Sequence, residues 1–180
     1  MRIDQESSEE ISLGGGITSM RFQLNGDIVE KETEPNETLL DFLRNRLKIL
    51  SVKKGCDVGE CGTCTVLLNG KPVRSCLILA VQVEDAEVTT LEGLAKHGEP
   101  GVIQEAFLQK YGFQCGFCTP GMILTAKALL DVNADPSVDD IKEALEGNLC
   151  RCTGYEQIIE SVLRAAELLR GPEGFSEKHS

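Results

Sequence analysis

Eight cysteines fall into two sets of four, and their spacing constrains this chain more than any other feature. Cys56, Cys61, Cys64 and Cys76 read C-x4-C-x2-C-x11-C, while Cys115, Cys118, Cys150 and Cys152 read C-x2-C-x31-C-x-C. Cys150 and Cys152 are too close to bridge each other, because a disulfide needs a set separation and Cβ direction. The cysteine density over 180 residues is also below that of small disulfide-stapled scaffolds. The polar, acidic start "MRIDQESSEEISLGGG" has no apolar core of a signal peptide and reads as a flexible leader over 1–17. In a reducing compartment, cysteines spaced like these are metal ligands or catalytic groups.

The first set has the C-x4-C-x2-C…C spacing of plant-type [2Fe–2S] proteins. Two irons sharing bridging sulfides need four thiolates, two per iron, so one long loop must wrap the cluster. Gly55, Gly59 and Gly62 in that loop would let the backbone come close, take positive φ and aim N–H groups at sulfur. Zinc needs neither the four-residue gap nor this glycine density, and it is the alternative. The second set taken alone fits zinc or iron–sulfur equally well. Its two pairs sit where helices are expected to begin, near Thr119 and Thr153, and free N–H groups there favour anionic thiolates.

Composition removes several function classes. Eighteen basic against 29 acidic residues give a net charge of −11, the wrong sign for binding a phosphate backbone. No apolar run has the length of a membrane span. The only histidines, His97 and His179, fall in a linker and a tail, so neither is a candidate ligand or base. There is no phosphate-binding or dinucleotide-binding glycine motif and no Ser-His-Asp set. Arg151 is either a partner for an anionic group or a plain surface charge.

Periodicity divides the chain into an α+β half and a helical half. Residues 18 to 33 alternate around Asn25-Gly26, a hairpin signature. Leu39, Leu40, Leu43, Leu47 and Leu50 form one helical stripe, expected to be core. Residues 65 to 92 give short apolar runs broken at Asn69-Gly70 and Glu84-Asp85, read as strands. Four helical patterns follow, with Ser137 and Asp140 as an N-cap pair and Gly147 as a C-cap, and short loops suggest a small bundle. The expected organisation is a leader over 1–17, a sheet domain over 18–92, a helical domain over 93–170 and a disordered tail over 171–180.

The segments "GCDVGECGTCTVLLNGKPVRSC", "QCGFCTPGMI" and "LCRCTGY", in this order, resemble the iron–sulfur subunit of the xanthine dehydrogenase/aldehyde oxidase/carbon monoxide dehydrogenase family of molybdenum hydroxylases. The resemblance covers about residues 18 to 170. It implies a β-grasp, plant-type ferredoxin-like domain holding a [2Fe–2S] cluster on Cys56, Cys61, Cys64 and Cys76. It likewise implies a four-helix domain holding a second on Cys115, Cys118, Cys150 and Cys152. By the same resemblance, Gln114 would hydrogen-bond a molybdopterin cofactor, with Cys152 close by. The one departure, Asn69 where many relatives have Asp, serves its turn equally well.

What the resemblance implies is a cytoplasmic electron-transfer subunit with no substrate site of its own. Molybdopterin would lie on a large partner subunit and FAD on a medium one, in a heterotrimer or a dimer of heterotrimers. A free-standing two-cluster ferredoxin is the alternative, and a zinc-stabilised interaction module is a third.

Overall fold

In the computed structural model, residues 16–95 and 98–171 are described. Most of the expected leader and tail, with His97 and His179, lies outside them. Five strands form one mixed sheet in the order β2-β1-β5-β3-β4. β1 (Thr18–Leu24) and β2 (Asp27–Thr33) pair antiparallel, with Leu24 opposite Asp27. Between them Asn25 and Gly26 have φ of 53° and 94°, the two positive angles of a type I′ turn. Asn69 and Gly70, at 50° and 77°, repeat that turn between β3 (Thr65–Leu68) and β4 (Lys71–Arg74). β5 (Glu87–Thr89) lies between β1 and β3, parallel to the first and antiparallel to the second.

The leucine stripe forms α1 (Leu39–Asp41), capped by the Thr38 hydroxyl, and continues as a π-helical turn over Phe42–Arg46. Leu39, Leu40, Phe42 and Leu43 are fully buried against Phe22 and Val66 of the sheet, and Leu47 is partly buried. Leu50 is 57% exposed, so the stripe stops one leucine early. Lys48 takes a left-handed φ of 59° and Ile49 N–H bonds back to the Leu43 carbonyl, which ends the helix there.

The run from Ser75 to Val83 is not a strand, contrary to its apolar, β-branched character. It forms two 3-10 turns, Ser75–Leu77 and Ala80–Val83. Cys76, Ala80 and Val83 are buried at helical intervals while Leu77 and Leu79 face outward. Ser75 donates both its N–H and its hydroxyl to the Cys64 carbonyl, which draws Cys76 beside Cys64 rather than along a ladder.

The helical half contains α2 (Val102–Gln109), α3 (Thr119–Val132), α4 (Val138–Leu145) and α5 (Glu156–Arg170). They share a core that includes Ile103, Phe107, Met122, Ile141, Ile158 and Val162. α3 is buried on most sides of its first two turns because it packs on the other helices and on β3 and β4. Ser137 and Asp140 form a reciprocal capping box at the start of α4, worth about 1 kcal/mol. Gly147 follows that helix without a positive φ, so a left-handed cap is not what requires glycine there. α5 begins at Glu156, three residues beyond Thr153. Among the described residues no helix is long and apolar enough to cross a membrane.

Candidate metal centres

Cys56, Cys61 and Cys64 lie on an irregular loop between the π-helical turn and β3, closed at its base by Lys53 N–H to the Thr63 carbonyl (3.1 Å), and Cys76 joins them from the 3-10 turn after β4. Cys64 and Cys76 are buried with their sulfurs 3.4 Å apart. The Cys56 sulfur accepts N–H groups from Val58 (3.5 Å) and Cys61 (3.4 Å), and these donors lower its pKa to about 6. Burial, with the neighbouring Cys64 thiol, pushes Cys76 up to about 11. Gly55 has no positive φ, but a Cβ there would lie 2.8 Å from the Cys61 sulfur and 2.6 Å from Thr63 Oγ1. Gly59, at φ 84°, sits under Leu77.

The second set is brought together from the start of α3 and the loop before α5. Close neighbours pair across the two loops: the Cys115 and Cys152 sulfurs are 3.6 Å apart and exposed, while Cys118 lies against Cys150 farther inside. Burial, with the Cys150 thiol, pushes Cys118 up to about 12. Cys150 is also raised by burial, but Thr153 donates its hydroxyl (3.2 Å) and its N–H (3.4 Å) to that sulfur, and the net shift is downward. Gln114 is exposed and its side chain bonds to no described residue of the chain. Arg151 is exposed.

A seam that the cysteine pattern does not reveal joins the two sites. Leu149, next to Cys150, donates its N–H to the carbonyl of Cys61 at 2.9 Å. The buried Asn148 amide donates to the Gly62 carbonyl (3.1 Å) and accepts from Thr125 (3.1 Å). The Arg74 guanidinium reaches the Gly147 carbonyl and Thr65 Oγ1. A Cβ on Gly62 would come within 2.3 Å of the Gly147 carbonyl oxygen, and one on Gly121 within 2.4 Å of the Gly62 oxygen. Gly62, which takes the positive φ of 70° expected in this loop, therefore also brings the two halves of the chain together.

Among the described residues no three His, Cys, Asp or Glu side chains converge to enclose one ion. The sulfurs lie instead in close pairs, a disposition suited to two metal ions per site, each taking two thiolates. The donor set suits iron–sulfur chemistry further, since Cys56 and Cys150 each have hydrogen-bond donors aimed at sulfur. Beside Cys118, the Thr119 hydroxyl is buried without a partner, an unspent donor next to a thiol. The apolar groove lined by Leu94, Val102, Ile103, Lys127, Asp131 and Leu169 contains no cysteine.

Residues 22–95 match the family described as 2Fe-2S iron-sulfur cluster binding domain, and residues 90–163 match that described as [2Fe-2S] binding domain. The chain is 52% identical over 149 residues to the nicotinate dehydrogenase small FeS subunit of Eubacterium barkeri, covering 83% of this chain and 95% of that one. It is 44% identical to the xanthine dehydrogenase iron-sulfur-binding subunit of Escherichia coli O157:H7, covering 87% and 94%. The chain belongs to the iron–sulfur small subunits of the molybdenum hydroxylases. Among solved structures, quinoline 2-oxidoreductase from Pseudomonas putida 86 superposes with a TM-score of 0.83 at 42% identity, covering 87% of this subunit and 98% of that chain. This small subunit is thus part of an oxidoreductase and has two [2Fe–2S]-binding domains.

The thiol environments of the metal-free small subunit predict an order of alkylation. At pH 7 a Cys56 pKa of about 6 leaves about nine-tenths of it as thiolate, whereas Cys118 at about 12 is almost wholly protonated. Brief iodoacetamide treatment followed by peptide mass spectrometry should find Cys56 modified well before Cys118.

Proposed function

We propose that this subunit relays electrons from a molybdopterin centre on a large partner to FAD on a medium partner. Its ligand sets would be Cys56, Cys61, Cys64 and Cys76 in a β-grasp ferredoxin-like domain (18–92), and Cys115, Cys118, Cys150 and Cys152 in a four-helix-bundle domain (93–170). A [2Fe–2S] cluster takes and returns one electron at a time, so two of them divide a two-electron oxidation into single steps. The chain's own residues hold the two sites at a fixed separation through hydrogen bonds between the halves.

The hydrogen bond from Leu149 N–H to the Cys61 carbonyl carries this reading. It joins the residue beside Cys150 directly to a cysteine of the other set, so a short bonded path connects the two sites. The buried Asn148 and the close Gly62, Gly121 and Gly147 contacts pack tightly beside that path. At the outer end, exposed Cys115 and Cys152, with Gln114 free of internal bonds, suit contact with the molybdopterin-bearing subunit. At the other end Val58 and Leu77 expose apolar surface near the first cysteine set, which suits the FAD subunit. We assign the complex to the cytoplasm, in keeping with eight free thiols, and take a heterotrimer or its dimer as its form.

The test is recovery of the tagged subunit from its own cells under mild conditions. It should bring down a molybdenum-bearing large subunit and a flavin-bearing medium one in equal amounts. Elution of the small subunit alone in every preparation would instead make it a free-standing two-cluster carrier.

A further inference from the structure

The strand of chain running from Asn148 to Tyr155 closes on itself through side chains that the relay does not require for metal binding. The Tyr155 hydroxyl accepts the Cys150 N–H (2.9 Å) and donates to the Asn148 carbonyl (3.3 Å). Gly154 and Tyr155 both take left-handed φ values, 66° and 72°. For a tyrosine that conformation is disfavoured, and the two hydroxyl bonds hold it in place. Its consequence is that Tyr155 N–H points back and donates to Thr153 Oγ1 at 3.2 Å.

That bond fixes the direction of the Thr153 hydroxyl. Its oxygen accepts from Tyr155, so its single proton is directed to the Cys150 sulfur 3.2 Å away. With the Thr153 N–H, one sulfur receives two donors from one residue. At the other site Thr63 also lies 3.2 Å from a cysteine sulfur, that of Cys61, but its hydroxyl is equally placed to donate to the Lys53 carbonyl at 3.2 Å. The two threonines look alike in sequence, and only Thr153 has its proton directed to a sulfur.

We propose that Thr153, oriented by Tyr155, selectively raises the reduction potential of the helical-domain cluster. A reduced cluster carries one more negative charge, and donors to a ligand sulfur stabilise that form over the oxidised one. The proposal rests on Cys150 being a cluster ligand, as read above. Thr153 is a tuning residue, acting through the sulfur it touches.

The experiment is an EPR-monitored redox titration of the intact complex carrying wild-type subunit, Thr153→Val or Thr153→Ser. Thr153→Val keeps the shape and the N–H bond but removes the hydroxyl. It should lower the reduction equilibrium of the helical-domain cluster about ten-fold, which is about 59 mV for a one-electron couple. Thr153→Ser should restore most of that, and the other cluster should not move in either variant. An unshifted helical-domain signal of full intensity, or an equal shift of both signals, overturns the proposal. Should Thr153→Val assemble without that cluster, electron–nuclear double resonance on the reduced wild-type complex decides. A coupled hydroxyl proton at the Cys150 sulfur, lost in D2O and absent from Thr153→Ala, supports it, and no such proton overturns it. Wild-type complex with iron for one cluster only would sink the ligand assignment itself, a distinct outcome.

Discussion

Gly62→Ala is expected to destabilise the folded subunit by about 2–5 kcal/mol, the sum of a left-handed alanine and an overpacked contact. At φ 70° the new methyl meets the Gly147 carbonyl oxygen at 2.3 Å and Asn148 Cα at 2.9 Å, and both belong to backbone that cannot swing aside. The same residue's carbonyl accepts from Thr65 and Asn148, so any shift breaks bonds on both sides of the seam. Gly59→Ala is the control. It has a comparable φ of 84°, but its methyl meets the end of Leu77, a side chain 64% exposed and free to move. It should lose only about 1–2 kcal/mol. Denaturant midpoints of the two variants as purified holoprotein make the comparison, and equal losses would mean that the seam is looser than its contacts indicate.

Cys64→Ala and Cys118→Ala are expected to remove one cluster each, and different ones. Each thiol is the more buried partner of a close pair, so no other sulfur can take its place without breaking the core. Each variant should keep about two iron atoms per chain and one of two EPR signals, with the missing signal differing between them. Loss of both signals from a single substitution in a folded subunit would contradict the separation of the two ligand sets.

Much of this was legible in the sequence because the informative residues act locally. Asn25-Gly26 and Asn69-Gly70 specify their turns through backbone angles alone, and Ser137 with Asp140 caps α4 within three residues. The cysteine spacings marked both candidate centres for the same reason. The segment Ser75–Val83 misled because its β-branched, apolar character is shared by strands and by short buried turns. What separates them is the long-range bond from Ser75 to Cys64.

The seam was not legible at all. Gly62 and Arg74 lie far along the chain from Gly121 and Asn148, and each looks like an ordinary turn or surface residue until the halves meet. Gly147 reads as a helix cap but is there to admit the Arg74 guanidinium. Nor could spacing show that Cys115 pairs with Cys152, and Cys118 with Cys150, across two loops. The role of Thr153 depends on Tyr155 adopting a left-handed φ, which nothing about a tyrosine announces.

The most direct measurement is the metal and acid-labile sulfide content of the subunit purified under anaerobic conditions from its own cells. Two [2Fe–2S] clusters require about four iron and about four sulfide per chain, with two distinguishable reduced-state EPR signals. Stoichiometric zinc, with no sulfide and no visible absorbance, would contradict the electron-relay reading outright.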